Sequence, residues 1–236
     1  MRVLSPAQQV RQRKLAAQAA EQAPAGETTG AAYELMQAQL YEHRKTLKAI
    51  QSIERKIEAK RGFLPLYWPW VDGVLSAGTG AQDLVLTTVL VWAIDCGEYR
   101  RALDIAAYVL QHGLSLPDQY ARDPATTLID EVSEAALKGR IAEQDEAIAV
   151  LRQVDSLTAD RDVPDQARAK LHKAIGYALV GRTAASEVDY KAVPIGVAQA
   201  ALPHLHRALE LFDGVGVKKD IERLERRVKD ATEPAP

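Results

Sequence analysis

Between residues 31 and 61 no glycine or proline interrupts the chain, and Tyr33, Met36, Leu40, His43, Leu47, Ile50 and Ile57 recur on three- and four-residue steps. The pattern is a heptad seam broken only by Glu54, and it predicts one coiled-coil-like helix of about 45 Å. A seam that long exceeds what one small domain covers. Part of the seam is therefore expected to meet another helix or another subunit, with Tyr33, Met36, Leu40, Leu47, Ile50 and Ile57 as the candidates for oligomerisation.

Upstream, "SPAQQVRQRKLAAQAAEQA" places Ser5 as N-cap, Pro6 at the first helical position and Gln8 to close a capping box. Downstream, Gly62, Pro65 and Pro69 are expected to end the long helix. A new helix then starts near Pro69 and stops at the glycines of 76–80. Helices over 82–95 and 98–112, joined at "CGE", resemble half of a tetratricopeptide hairpin, and "ARAKLHKAIGYALVG" with "AALPHLHRALELF" suggests a second such hairpin. A weaker helix is predicted around 125–151, and Pro164 and Asp165 should start the next one.

These elements divide the chain into seven segments. They are a basic N-terminal helix or arm (1–23), a flexible linker (24–30), the long oligomerisation helix (31–61) and a helical hairpin body (62–120). A connecting helix and loop (121–163), a C-terminal helical hairpin (164–230) and a disordered tail (231–236) complete it. Abundant alanine and a 6% aromatic share agree with an all-α fold.

Net charge is only −2, but it is unevenly spread. Residues 1–61 hold eleven Lys/Arg against six Asp/Glu, and residues 62–236 hold nineteen against twenty-six. The basic end is where a polyanion would be met. Arg44, Lys48 and Arg55 share one side of the predicted long helix, Lys45 and Lys56 enlarge the cluster, and Arg11, Arg13 and Lys14 make a second one. These eight residues are the candidate nucleic-acid contacts if the polyanion is a nucleic acid, suited to phosphate affinity rather than base reading. Ordinary solvated helix faces are the alternative. The single Cys96 excludes an internal disulfide and a cysteine-based zinc site. The longest apolar run, Leu84 to Ile94, is too short to span a bilayer and predicts a buried helix. A non-membrane, non-secreted, cytoplasmic protein is expected.

Catalytic signatures are sparse. "GTGAQD" lacks the Lys and Ser/Thr of a phosphate-binding loop and puts Asp83 where phosphate would be repelled. His204 and His206 stand two apart, so on a helix they point to different sides, and no metal site is expected from them. In "FLPLYWPW", Phe63, Tyr67, Trp68 and Trp70 are read as a packed joint between the long helix and the body, with base stacking as the alternative.

The strings "KTLKAIQSIERKIEAKRGFLPLYWPWVDGVL", "GAQD", "GEYRRALDIAAYVLQHGL", "PDQARAKLHKAIGYAL" and "GVKKDIERLERRV", taken in order, resemble the small terminase subunit of temperate, contractile-tailed phages of the P-two type. The resemblance spans about residues 5 to 230. It implies a protein that binds double-stranded phage DNA at the packaging (cohesive-end) site, forms a homo-oligomer, often a ring, and recruits or regulates the large terminase subunit carrying the ATPase and nuclease. The expected place of action is the cytoplasm of the bacterial host. Such proteins are often labelled terminase endonuclease subunits, a label the residues do not support on their own. No cofactor is expected, and magnesium would enter only if a metal-dependent endonuclease were present. A helical protein-binding scaffold without DNA is the third reading. The long basic C-terminal tail of many relatives is replaced here by "EPAP".

Overall fold

The computed structural model describes residues 4–23, 26–117 and 123–232. The fold is all-α. Its helices are α1 (Pro6–Glu21), α2 (Ala31–Ala49), α3 (Ile53–Ala77), α4 (Leu84–Cys96), α5 (Tyr99–His112), α6 (Pro124–Leu137), α7 (Gln144–Thr158), α8 (Asp165–Leu179), α9 (Ile195–Leu211) and α10 (Lys218–Thr232). No strand occurs among the described residues, only two isolated bridges. The chain forms two compact units that divide at Pro124/Ala125, inside the predicted connecting segment.

The expected capping box opens α1. Ser5 Oγ accepts from the Gln8 amide at 3.3 Å, and Gln8 Oε1 accepts from the Ser5 amide at 2.8 Å. The helix buries Ala16, Ala19 and Ala20 against α3. Gly73 allows this close approach, because a Cβ there would lie 2.6 Å from the Ala16 Cβ.

The long helix predicted over 31–61 is two helices. Ile50 takes an extended conformation (φ −87°, ψ 129°), and Ser52 caps a new start by accepting from the Arg55 amide at 3.3 Å. The Ser52 hydroxyl competes with continued helix by bonding locally, and the apolar periodicity masked that signal. At the other end of the segment the opposite holds. α3 does not end at Gly62 and no new helix starts at Pro69: it runs through Pro65 and Pro69 to Ala77 and stops at Gly78 (φ 67°). Each proline removes one ladder donor, at about 3 kcal/mol. Packing of α3 against both α1 and α4 outweighs that loss.

The heptad seam is consequently absorbed within the unit. Tyr33, Met36, Leu40 and Leu47 are buried by the chain's own helices, while Ile50 lies in the break and Ile57 belongs to α3. α4 is the central helix, with every residue from Val85 to Ile94 buried. It pairs with α5 across Gly97, whose φ of 79° suits glycine.

The described part of the predicted linker is tied down. The Thr28 amide donates to Gln82 O at 2.9 Å and the Gln82 amide to Gly26 O at 2.9 Å. Residues 24 and 25 lie outside the described residues, as do 233–236 of the predicted tail.

In the second unit the single helix predicted at 125–151 is α6 and α7, separated by a turn at Gly139 (φ 70°). α8 starts at Asp165 as expected. It packs along α9, with α7 on α8 and α10 on α9. Leu205, Val217, Ile221 and Leu224 join Tyr177 and Ala201 in this core. Fifteen residues, 180–194, connect α8 to α9, so the pair is not a tight tetratricopeptide hairpin.

A polar hub stitches the unit together. Asp220 accepts from the Tyr177 and Tyr190 hydroxyls, both at 2.8 Å, and forms an ion pair with Arg182, whose guanidinium lies 4.4 Å over the Tyr177 ring. Burial and the Asp220 charge push both phenols up from their ordinary range.

Candidate nucleic-acid interface

The break between α2 and α3 makes an elbow, and the elbow concentrates cations. Residues 42–56 carry Arg44, Lys45, Lys48, Arg55 and Lys56 against Glu42 and Glu54. Lys45, Lys48 and Arg55 are exposed, and Arg44 and Lys56 half-buried. Lys48 occupies the last turn of α2, where a cation also complements the helix dipole. Among the described residues Lys45, Lys48, Arg55 and Lys56 form no ion pair. Ile53, at the apex, is 74% exposed.

The elbow is held by rings. His43 stacks on Phe63 with centroids 3.8 Å apart and planes 4° from parallel, and its Nδ1 lies 2.7 Å from the Tyr67 hydroxyl. Burial lowers the His43 pKa, which favours the neutral imidazole. Tyr67 and Phe63 both meet Trp92 of α4. This lock fixes the last turns of α2, with Arg44 and Lys45, against α3.

Deeper in the unit, Trp70 Nε1 donates to Asp83 Oδ2 at 2.9 Å, while Asp83 Oδ1 caps α4 by accepting from the Leu86 amide at 2.9 Å. Burial raises the Asp83 pKa. Tyr33 stacks on Trp70 and accepts from the Leu84 amide at 2.9 Å. The aromatic stretch is thus the inner face of a continuous α3 rather than a corner between two elements. Phe63 and Trp68 are half-buried, and Arg101 covers the Trp68 ring at 4.2 Å.

Two cations next to the cluster have structural work. Lys60 forms an ion pair with Asp95, and Arg61 Nη2 donates to Cys96 O at 3.3 Å, one of the carbonyls left open at the end of α4.

The elbow also redraws the predicted cationic stripe. Arg44 and Lys48 remain on α2, but Arg55 lies beyond the break and shares no helix face with them. Arg11, Arg13 and Lys14 are exposed on α1. Arg11 sits beside Ala32, Leu35 and Gln39. From Leu35 to Lys48 is about 20 Å along α2, so the two cationic clusters occupy different stations on that helix.

The histidines of "HLH" diverge as the spacing requires. His204 Nδ1 lies 3.2 Å from His172 Nδ1 on α8, whereas His206 Nε2 lies 3.1 Å from Glu225 on α10. Among the described residues no group of three or more His, Cys, Asp or Glu is placed to hold a metal. No described helix is long and apolar enough to cross a membrane.

The family model for the phage small terminase subunit matches residues 37–166, a span that contains the elbow, its aromatic lock and α4. The chain belongs to that family. It is 41% identical over 232 residues to the "Terminase, endonuclease subunit" of Escherichia phage P2, covering 98% of this chain and 89% of the relative. It is 23% identical over 206 residues to the "Probable terminase, endonuclease subunit" of Haemophilus phage HP1, covering 85% of this chain and 72% of that relative. No solved structure matches at a significant level. The family's role is phage DNA packaging, which makes this small terminase subunit a packaging protein.

Proposed function

We propose that this terminase small subunit binds double-stranded phage DNA at the packaging site through the α2–α3 elbow, self-associates, and recruits or regulates the large terminase subunit. The observation that carries the DNA reading is the group of unpaired cations Lys45, Lys48, Arg55 and Lys56, held on a rigid support. Phosphate contacts of this kind supply affinity that falls with salt, while the sequence of the packaging site is read by other contacts or by DNA shape. Arg11, Arg13 and Lys14 are a second cationic station, and Arg44 supports the elbow from its half-buried position.

The test is an anisotropy titration of the full chain with a duplex carrying the phage's cohesive-end region and with a scrambled duplex of equal length. Binding that is tighter to the first and weakens steeply with salt supports the reading. Absence of binding to either at low salt refutes it.

The names of the two relatives favour a second reading, an endonuclease, which would here be metal-dependent. Incubating the purified chain with cohesive-end DNA and magnesium separates the two: site-specific cleavage establishes nuclease activity, and intact DNA assigns cutting to another subunit.

A further inference from the structure

A groove runs between α1 and α2, walled by Leu4, Leu15, Leu35, Met36, Leu66 and Trp70, with a cavity volume of about 210 Å³. That space is large enough to admit an apolar side chain. Leu35 on its rim is 73% exposed, whereas Leu40 and Leu47 of the same helix are 1% and 8% exposed. Leu15, on the opposite wall, is 37% exposed. A knob and a hole that can take it therefore lie side by side in one patch. We propose that this groove is the face through which two copies of the chain associate about a two-fold axis, Leu35 of each copy entering the groove of the other.

A two-fold contact uses the same patch on both copies, so the patch must complement itself. In shape it does, because the hole adjoins the knob without coinciding with it. In charge it does as well. Arg11 stands on the α1 wall, while Glu34 and Glu42 stand on α2 within about 100° of Leu35 around the helix. None of the three forms an ion pair among the described residues. Rotation about the axis sets the α1 wall of one copy against the α2 wall of the other, which brings Arg11 to these carboxylates. Ala31, Ala32 and Ala38 flank Leu35 on α2 and leave room for the approach. Tyr33, Met36, Leu40 and Leu47 of the heptad seam first expected to serve this purpose are buried inside the unit.

The proposal rests on the reading that the protein self-associates. The experiment is light scattering or sedimentation of the full chain over a concentration series, for wild type, Leu35→Asp, Arg11→Glu and the charge exchange Arg11→Glu with Glu34→Arg and Glu42→Arg. Tryptophan fluorescence and circular dichroism check that each remains folded, as the exposure of Leu35 leads one to expect. Leu35→Asp removes two apolar insertions per contact, roughly thirty-fold each, so the two-fold contact should weaken about a thousand-fold. Arg11→Glu should weaken it less, and the exchange should restore it, which a purely structural role would not do. An oligomer whose mass ignores Leu35→Asp refutes this face alone. A monomeric wild type that still binds DNA refutes both the face and the self-association reading, and leaves the DNA reading standing.

Discussion

Replacing Trp70 by Phe isolates the interaction on which the first unit is built. Trp70 is 1% exposed, its Nε1 donates to Asp83 Oδ2 at 2.9 Å, and the same carboxylate caps α4 through Leu86. The variant keeps an aromatic ring beside Tyr33 but leaves one oxygen of a buried carboxylate without its donor. A hydrogen bond to a charged group contributes about 1.5–3 kcal/mol, and the smaller ring adds about 1 kcal/mol for the space left behind. The expected loss is therefore about 2.5–4 kcal/mol. Trp68→Phe is the comparison, since Trp68 is half-exposed and its distinctive contact is Arg101 over the indole at 4.2 Å, worth about 0.5–1 kcal/mol. All three tryptophans, at 68, 70 and 92, lie in the first unit, so fluorescence during urea unfolding reports on that unit alone. Equal losses for the two variants, or a larger loss for Trp68→Phe, would show that the Trp70–Asp83 bond does not hold the unit together.

In the second unit, Asp220→Ala strands the Tyr177 and Tyr190 hydroxyls and the Arg182 guanidinium, and should cost about 3–5 kcal/mol in urea unfolding followed by circular dichroism. Burial lowers the pKa values of both His172 and His204, with Asp155 of α7 opposing the shift and Arg152, Arg168 and Arg207 among the nearby cations that reinforce it. A lowered folded pKa gives stability that is present above the unfolded value near 6.5 and lost as pH falls through the folded value. Acidification from neutral pH should therefore destabilise the unit, and His204→Asn should flatten that dependence; an unchanged slope would sink the assignment. Glu134 is held down to about 2 by hydrogen bonds from Lys138 and then Lys170, so its contribution persists until pH falls below the ordinary glutamate range. Glu134→Gln should remove that part of the acid limb in a pH series of melting temperatures.

Helix type and most helix starts were legible because their determinants are local. Ser5, Pro6 and Gln8 needed no tertiary partner to open α1, and Pro164 with Asp165 announced α8 in the same way. The errors fell where local and tertiary terms compete. Pro65 and Pro69 are strong local breakers, yet α1 and α4 embrace α3 closely enough to override them. Ser52 is a modest local cap, and a seven-residue apolar repeat concealed it. For the candidate interface, residue type picked out the basic segment, but grouping it on one wheel presumed a straight helix. The structural work of Lys60 and Arg61 depends on Asp95 and the Cys96 carbonyl, about 35 residues away, and no local pattern shows it. The groove beside Leu35 had no signature at all, since exposure of one leucine among several on α2 depends on where α1 lies.

The elbow's role as the phosphate-binding surface rests on its exposed cations. The most direct measurement is the salt dependence of duplex binding for wild type and for Lys45→Gln, Lys48→Gln, Arg55→Gln and Lys56→Gln combined, with folding checked by circular dichroism. Each lost phosphate contact lowers the slope of log K against log salt by about 0.9, so the fourfold variant should lose about 3–4 units of slope and bind all sequences more weakly. A fourfold variant that stays folded and binds DNA with the wild-type slope would contradict the account.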